Sequence, residues 1–389
     1  MKIKILLTLS ICIVIISTVY IINLLNQDFI LNKDDDYNST INVWITTPGL
    51  VSALKQFQTE SNNRMNVREF KDTEALFEEL ELIDTDNSEY PNIVETDSNF
   101  GMEEISELGN IVPLSEVSKS LPDQFYHSIS LNFYHNDSLF AFPVGVEIPL
   151  ILINRTIINN QISTDLSLYP FATESQLVQY KRIQNKIDKN DNTKPFWFFH
   201  LDNNIPLYWN SYLYSHGNSD THSFTDMWKR LIVEYELVPP LDNHMAITRF
   251  ANTEVGVLIT TSQQLQTIQH LIGNSFEFEV LPFIQNNNDP ILVSGNGLVV
   301  LRNSKHIKEL FQFMSSDEIQ TEILSKTGWF PTLKSLWNKP EVLHELPMAK
   351  HLNSLLKYSG NFRGKKPTNN AKSEQTGIKK KAHKIESDY

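Results

Sequence analysis

Ile41, Val43 and Ile45 alternate with Asn42, Trp44 and Thr46, and the run ends at Pro48-Gly49. This period of two predicts a strand over 41–46 that runs into a loop. Leu54 and Phe57 then take up helical spacing, which predicts a helix over 50–59. A second strand over 65–70 and a second helix over 74–82 complete a βαβα opening, the pattern of a largely parallel sheet covered by helices. Further along, the pattern predicts strands at 92–95, 254–260, 276–282 and 291–301. Two extended pieces, 139–142 and 148–153, flank a bend at Pro143-Val144-Gly145. Helices are expected at 173–186 (capped by Thr173), at 224–236 before Pro239-Pro240, from Thr261 to Leu271, and at 307–314. One more, at 318–324, is stopped by Gly328 and Pro331. Residues 196–199 and 208–214 form an aromatic-rich stretch. After Gly360 the periodicity is lost and lysines accumulate, so 361–389 is expected to be a disordered basic tail.

The first residues change the picture most. Lys2 and Lys4 precede a mostly apolar run from Ile5 to Leu25. As a helix this run spans roughly 30 Å, the thickness of a bilayer core. The lysines keep to the inside, so the rest of the chain is expected outside the membrane. Residues 1–25 are therefore a membrane anchor or a cleaved signal segment, and 26–38 an acidic tether. A lipoprotein start at Cys12 is disfavoured because Leu9-Ser10-Ile11-Cys12 puts a bulky residue where such signals carry a small one.

With 389 residues, of which 41% are hydrophobic, the chain is long enough for two lobes with real cores. Its formal net charge of -13 repels phosphate backbones, so no nucleic-acid partner is expected for the folded body. The lone Cys12 can form neither an internal disulfide nor a thiolate metal site. No P-loop, dinucleotide fingerprint, zinc-protease helix or nucleophile elbow occurs. The chain is expected to be neither an enzyme nor a holder of a metal or cofactor.

Several segments resemble the family-1 bacterial extracellular solute-binding proteins, the maltose- and glycerol-3-phosphate-binding type, with the latter closer. They are Ile41-Asn42-Val43-Trp44, Pro91-Asn92-Ile93-Val94, Phe142-Pro143-Val144-Gly145-Val146-Glu147, Glu236-Leu237-Val238-Pro239-Pro240, Phe250 to Val257, Leu281-Pro282, Ser294 to Val300, and Thr327-Gly328-Trp329-Phe330-Pro331-Thr332. Their order and spacing carry the resemblance. It implies an α/β, two-lobed, periplasmic-binding-protein-like clamp with a cleft between lobes, behind the N-terminal hydrophobic helix. It also implies three crossings, near Glu147, Thr260 and Leu301. Lobe 1 would hold 39–147 and 260–301, and lobe 2 148–259 and 302–360.

The resemblance further implies the solute-binding component of an ABC-type importer. The monomer would be held at the outer face of the membrane, or be periplasmic if the leader is cleaved, with permease subunits as partners. The ligand would be a small polar solute, a sugar or a sugar or glycerol phosphate. The alternative is a membrane-tethered sensor or interaction module that kept the fold and lost transport.

The residues it points to for ligand binding are these. Trp44 and Trp329 are aromatic platforms for a sugar face. Asp97 and Ser98, at the end of the third strand, are candidate acceptors for ligand hydroxyls. Glu147 sits at the first crossing, where it binds ligand or braces the hinge. Thr261 and Ser262 stand at a strand-to-helix junction, where they bind ligand or cap the helix. Gly295 and Asn296 form a loop open to close backbone approach. Arg363 resembles a phosphate-contacting arginine.

Overall fold

The computed structural model describes residues 40–98, 101–108, 110–158, 168–190, 195–215, 223–240, 245–284, 288–337, 339, 361–364 and 371–388. Its strands of more than two residues are β1 (Ile41–Ile45), β2 (Met65–Glu69), β3 (Ile93–Asp97), β4 (Ala141–Glu147), β5 (Pro149–Asn154), β6 (Trp197–Leu201), β7 (Val255–Thr261), β8 (Phe278–Pro282) and β9 (Ser294–Val300).

They form two sheets. The first has the order β2-β1-β3-β9-β4 and the second β8-β5-β7-β6. In the first, β1 pairs in parallel with β2 and β3. Parallel neighbours need a long crossover, supplied by the helices α1 (Val51–Ser61) and α2 (Thr73–Leu82). Each helix buries an apolar stripe, Ala53, Leu54 and Phe57 on α1 and Leu76, Phe77 and Leu80 on α2. Asp72 starts α2 by accepting from the Ala75 N–H at 2.8 Å. Strand β9 enters from far along the chain and runs antiparallel between β3 and β4.

In the second sheet, β5 lies antiparallel to both β8 and β7, while β6 and β7 are parallel. α3 (Glu174–Asn190) packs on β6 and α4 (Ile205–Ser215) on β5. α5 (Phe224–Lys229) continues through one π-type turn at Arg230–Glu234. α6 (Ala246–Ala251) lies on β7 and against α7 (Leu265–Ile272). This lobe's core is aromatic: Tyr180 stacks on Phe198 at 4.8 Å and Trp209 on Tyr212 at 5.1 Å. That is the role of the aromatic-rich stretch, whose two halves are β6 and α4.

A single residue, Ile148, separates β4 from β5, so the first crossing falls between Glu147 and Pro149. Ser262 clamps it from both sides: the Ile148 N–H donates to Ser262 Oγ at 3.1 Å, and the Ser262 N–H donates to the Ile148 carbonyl at 2.9 Å.

Two of the expected boundaries differ. Thr260 lies inside β7, and the following β8 pairs with β5, Leu281 opposite Ile151. The chain returns to the first sheet only after Pro282. The apolar run of β7 marks a strand but carries nothing that says which sheet it joins. After β9, α8 (Lys305–Met314) and α9 (Asp317–Thr327) stay with the first lobe, against α1. Phe311 stacks on Phe142 at 4.8 Å and Phe313 meets Phe57 at 5.5 Å.

The expected disordered tail also differs. Phe362–Arg363 pairs with Ile291–Leu292. α10 (Ala371–Ser387) then docks on α4 and α5, with Ile378, Ala382 and Ile385 buried and Trp228 Nε1 donating to Glu386 at 3.2 Å. Three apolar residues spaced i, i+4, i+7 suffice to dock a helix whose other positions are mostly polar or charged.

Residues 1–39, with the expected anchor and tether, lie outside the described residues. Among the described residues no helix is long and apolar enough to cross a membrane.

Candidate functional site

A cleft of about 370 Å³ opens where β4, β6 and β7 end. From β4 it takes Glu147; after β6 come Leu201, Asp202, Asn203 and Asn204; after β7, Thr261, Gln263 and Gln264. Ala246 and Ile247 of α6 add aliphatic surface, and Lys379 reaches in from α10. The carboxyl ends of parallel strands are where open α/β sheets receive ligands, because the loops there are free of the ladder. No aromatic ring lines this cleft among the described residues.

Glu147 ties the lobes together. Its carboxylate accepts from Ser294 Oγ of the first sheet at 2.5 Å and from Asn204 Nδ2 of the second lobe at 3.3 Å. The Thr261 hydroxyl donates to it as well. Burial pushes its pKa up to about 7; the negative charges of Asp97 and Asp202 push the same way, and the hydroxyls of Ser294 and Thr261 oppose them.

Asp202 is the second carboxylate of the cleft, also half-buried. It accepts from the Tyr208 phenol, from the Asn204 N–H at 2.9 Å and from Thr260 Oγ1 at 2.7 Å. Burial raises its pKa, against the pull of those three hydrogen bonds. The Tyr208 phenol is held well above its ordinary value by burial and by the neighbouring carboxylate charges.

In the first lobe, outside the cleft lining, the buried carboxylate is Glu95 of β3. It is fully buried and accepts from the N–H groups of Thr46 and Thr47, at 2.7 and 2.9 Å, from Thr47 Oγ1 and from Asn296 Nδ2 at 2.6 Å. This fixes the turn after β1 and commits the Asn296 amide nitrogen to the protein. Ser98 joins β3 to β9: its hydroxyl accepts from the Gly295 N–H at 2.7 Å, and its own N–H donates to the Gly295 carbonyl at 2.8 Å. Asp97 stands opposite Asn296 in the ladder, with its charge felt at Glu147.

The expected platforms are core residues. Trp44 is 2% exposed, against Phe70 and under the Arg68 guanidinium. Trp329 is 1% exposed and presses on Gly145, where a Cβ would sit 2.7 Å from the Trp329 Cβ. Gly295 is held as tightly: a Cβ there would come within 2.2 Å of the Gly145 carbonyl. The glycines let β4, β9 and the 329–330 segment meet, so they serve packing in place of ligand approach. Arg363 donates to its own neighbour, the Phe362 carbonyl, at 2.7 Å and is no part of this cleft's lining.

Of the expected site residues, the cleft thus gathers Glu147 and Thr261, with Ser262 behind them at the crossing. Sequence reasoning missed Asp202, Asn203, Asn204, Gln263, Gln264 and Lys379. The signal for the first three was present: a polar triplet directly after the apolar run 196–201, the same logic that singled out Asp97 and Ser98.

Two sheets joined by a one-residue crossing, with a polar cleft beside it, define a two-lobed clamp of the periplasmic-binding-protein type. The chain belongs to the family of bacterial extracellular solute-binding proteins, whose profile matches residues 52–348. Among solved structures it is similar to the sugar-binding protein MalE of Xanthomonas citri, with a TM-score of 0.67 and 13% identity over 90% of this chain and 93% of that one. It is also similar to MalE of Bdellovibrio bacteriovorus bound to maltotriose, with a TM-score of 0.64 and 16% identity over 88% and 94%. UgpB of Mycobacterium tuberculosis in complex with glycerophosphocholine gives a TM-score of 0.64 and 15% identity over 90% and 98%. At these identities the likeness is one of fold. No curated protein matches the chain in sequence. The family is one of solute-binding proteins.

Proposed function

We propose that the protein is the extracytoplasmic solute receptor of an ABC-type importer, held at the outer face of the membrane by its first 25 residues. It captures a small polyhydroxylated solute, a sugar or a glycerol-phosphate-like compound, and delivers it as a monomer to permease subunits. The observation that carries this reading is Glu147, a half-buried carboxylate hydrogen-bonded to both lobes at the edge of the cleft. A solute that engages it is sensed by both halves of the clamp. The surrounding amides and the Thr261 hydroxyl offer the donors and acceptors that a polyol needs, and Leu201, Ala246 and Ile247 offer an apolar wall for its C–H face.

Thermal unfolding of the purified chain with a panel of sugars, polyols and glycerol phosphodiesters tests it. One compound is expected to raise the Tm in proportion to the logarithm of its concentration, because it binds only the folded clamp. A folded sample that answers none of the panel would remove the reading.

A further inference from the structure

The family match ends at residue 348, yet the cleft is walled in part by a residue beyond it, Lys379 of α10. Its place is set by the helix around it: Ile378, Ala382 and Ile385 are buried against α4 and α5, and the exposed Lys379 is carried to the cleft by that docking. Among the described residues the Lys379 ammonium has no ion-pair or hydrogen-bond partner. The two carboxylates it shares the cleft with are already occupied, Glu147 by Ser294, Thr261 and Asn204, and Asp202 by Tyr208, Thr260 and the Asn204 N–H. Neutral donors fill the acceptor sites of both carboxylates, which leaves the ammonium's own hydrogen bonds for a solute, and Asn203, Gln263 and Gln264 stand in the same lining.

We propose that the appended C-terminal helix is part of the binding site and that Lys379 selects for an anionic group on the solute, a phosphate ester or carboxylate attached to a hydroxyl-bearing body. Hydrogen bonds between an ammonium and an anionic oxygen are about twice as strong as neutral ones, so this one side chain sets the preference between charged and uncharged polyols. The inference rests on the solute-receptor reading and narrows it.

The test is titration calorimetry of the full chain in detergent micelles with two probes, glycerol-3-phosphate and maltotriose. Three variants accompany the wild type. Lys379→Gln and Lys379→Glu alter the cleft; Lys384→Gln removes one charge from an exposed position of the same helix outside the cleft lining. Glycerol-3-phosphate is expected to bind the wild type and Lys384→Gln alike, about 10-fold or more weakly to Lys379→Gln, and not measurably to Lys379→Glu. Equal binding by Lys379→Gln and wild type overturns the proposal. So does binding of maltotriose alone, unchanged by any variant, and that result leaves the solute-receptor reading standing. Silence of both probes on a sample shown folded by circular dichroism takes down both.

Discussion

Glu147 couples the cleft to acidity. A carboxyl whose pKa in the folded chain is about 7, against an ordinary 4.5, keeps its proton in the native state where the unfolded chain has lost it. Between those values the native state binds more protons, so stability falls as pH rises through the window and stays reduced above it. Glu147→Gln keeps an acceptor for Ser294 and Asn204 and cannot ionise. It is expected to match the wild type near pH 5 and to exceed it at pH 8 by about 2 kcal/mol, because each tenfold change in a protonation equilibrium between the folded and unfolded chain is worth ~1.4 kcal/mol. Urea midpoints at the two pH values measure this, and equal differences at both would reject it. Glu95 behaves in the opposite way on substitution, since four donors converge on it. Glu95→Ala strands them in a buried site, at a cost of about 2–4 kcal/mol in denaturant unfolding. It also frees the turn at Thr46 and Thr47.

Among the elements, α10 is the one whose stability stands apart. Its apolar contact is a stripe of three residues, while its remaining face carries Lys379, Lys380, Lys381 and Lys384. Ile378→Asp places a charge in that stripe and is expected to release the helix while the two sheets stay folded. Trypsin cleavage within 379–384 should accelerate at least about 10-fold with no change in the unfolding midpoint of the body, since cleavage follows the population of the opened helix. Unchanged cleavage would mean that the helix is held by something other than this stripe.

The same helix shows what the sequence made legible. Strong local periodicity marked α1, α2, α7 and α8 closely, because an amphipathic stripe is a local property. Three apolar positions in a lysine-rich segment do not stand out until the aromatic surface of α4 and α5 is there to receive them. The partition of β7, β8, α8 and α9 between lobes was equally hidden, since it depends on pairings between distant strands. At the site, Glu147 could be read because the family resemblance marks the first crossing there. Trp44 and Trp329 looked like ligand platforms because type and motif mark an aromatic, and only packing shows which way its face is turned.

At the scale of the whole molecule the lobes are not independent. The core of the first sheet runs on through Leu150, Leu152, Val255 and Leu258 of the second, so apolar packing is continuous beneath the crossing. Calorimetry is expected to show one transition, with the van't Hoff enthalpy equal to the calorimetric one; two resolved peaks would show that the lobes melt separately.

The position of β9 has a consequence in time. The first sheet is closed by a strand that begins at Ser294 and seats beside a strand that ended at Asp97. At a synthesis rate of about 5–20 residues per second, roughly 10–40 s pass between the making of the two. Until β9 is made, β3 and β4 lack the strand that joins them. The lobe locks only when more than three quarters of the polypeptide has been made.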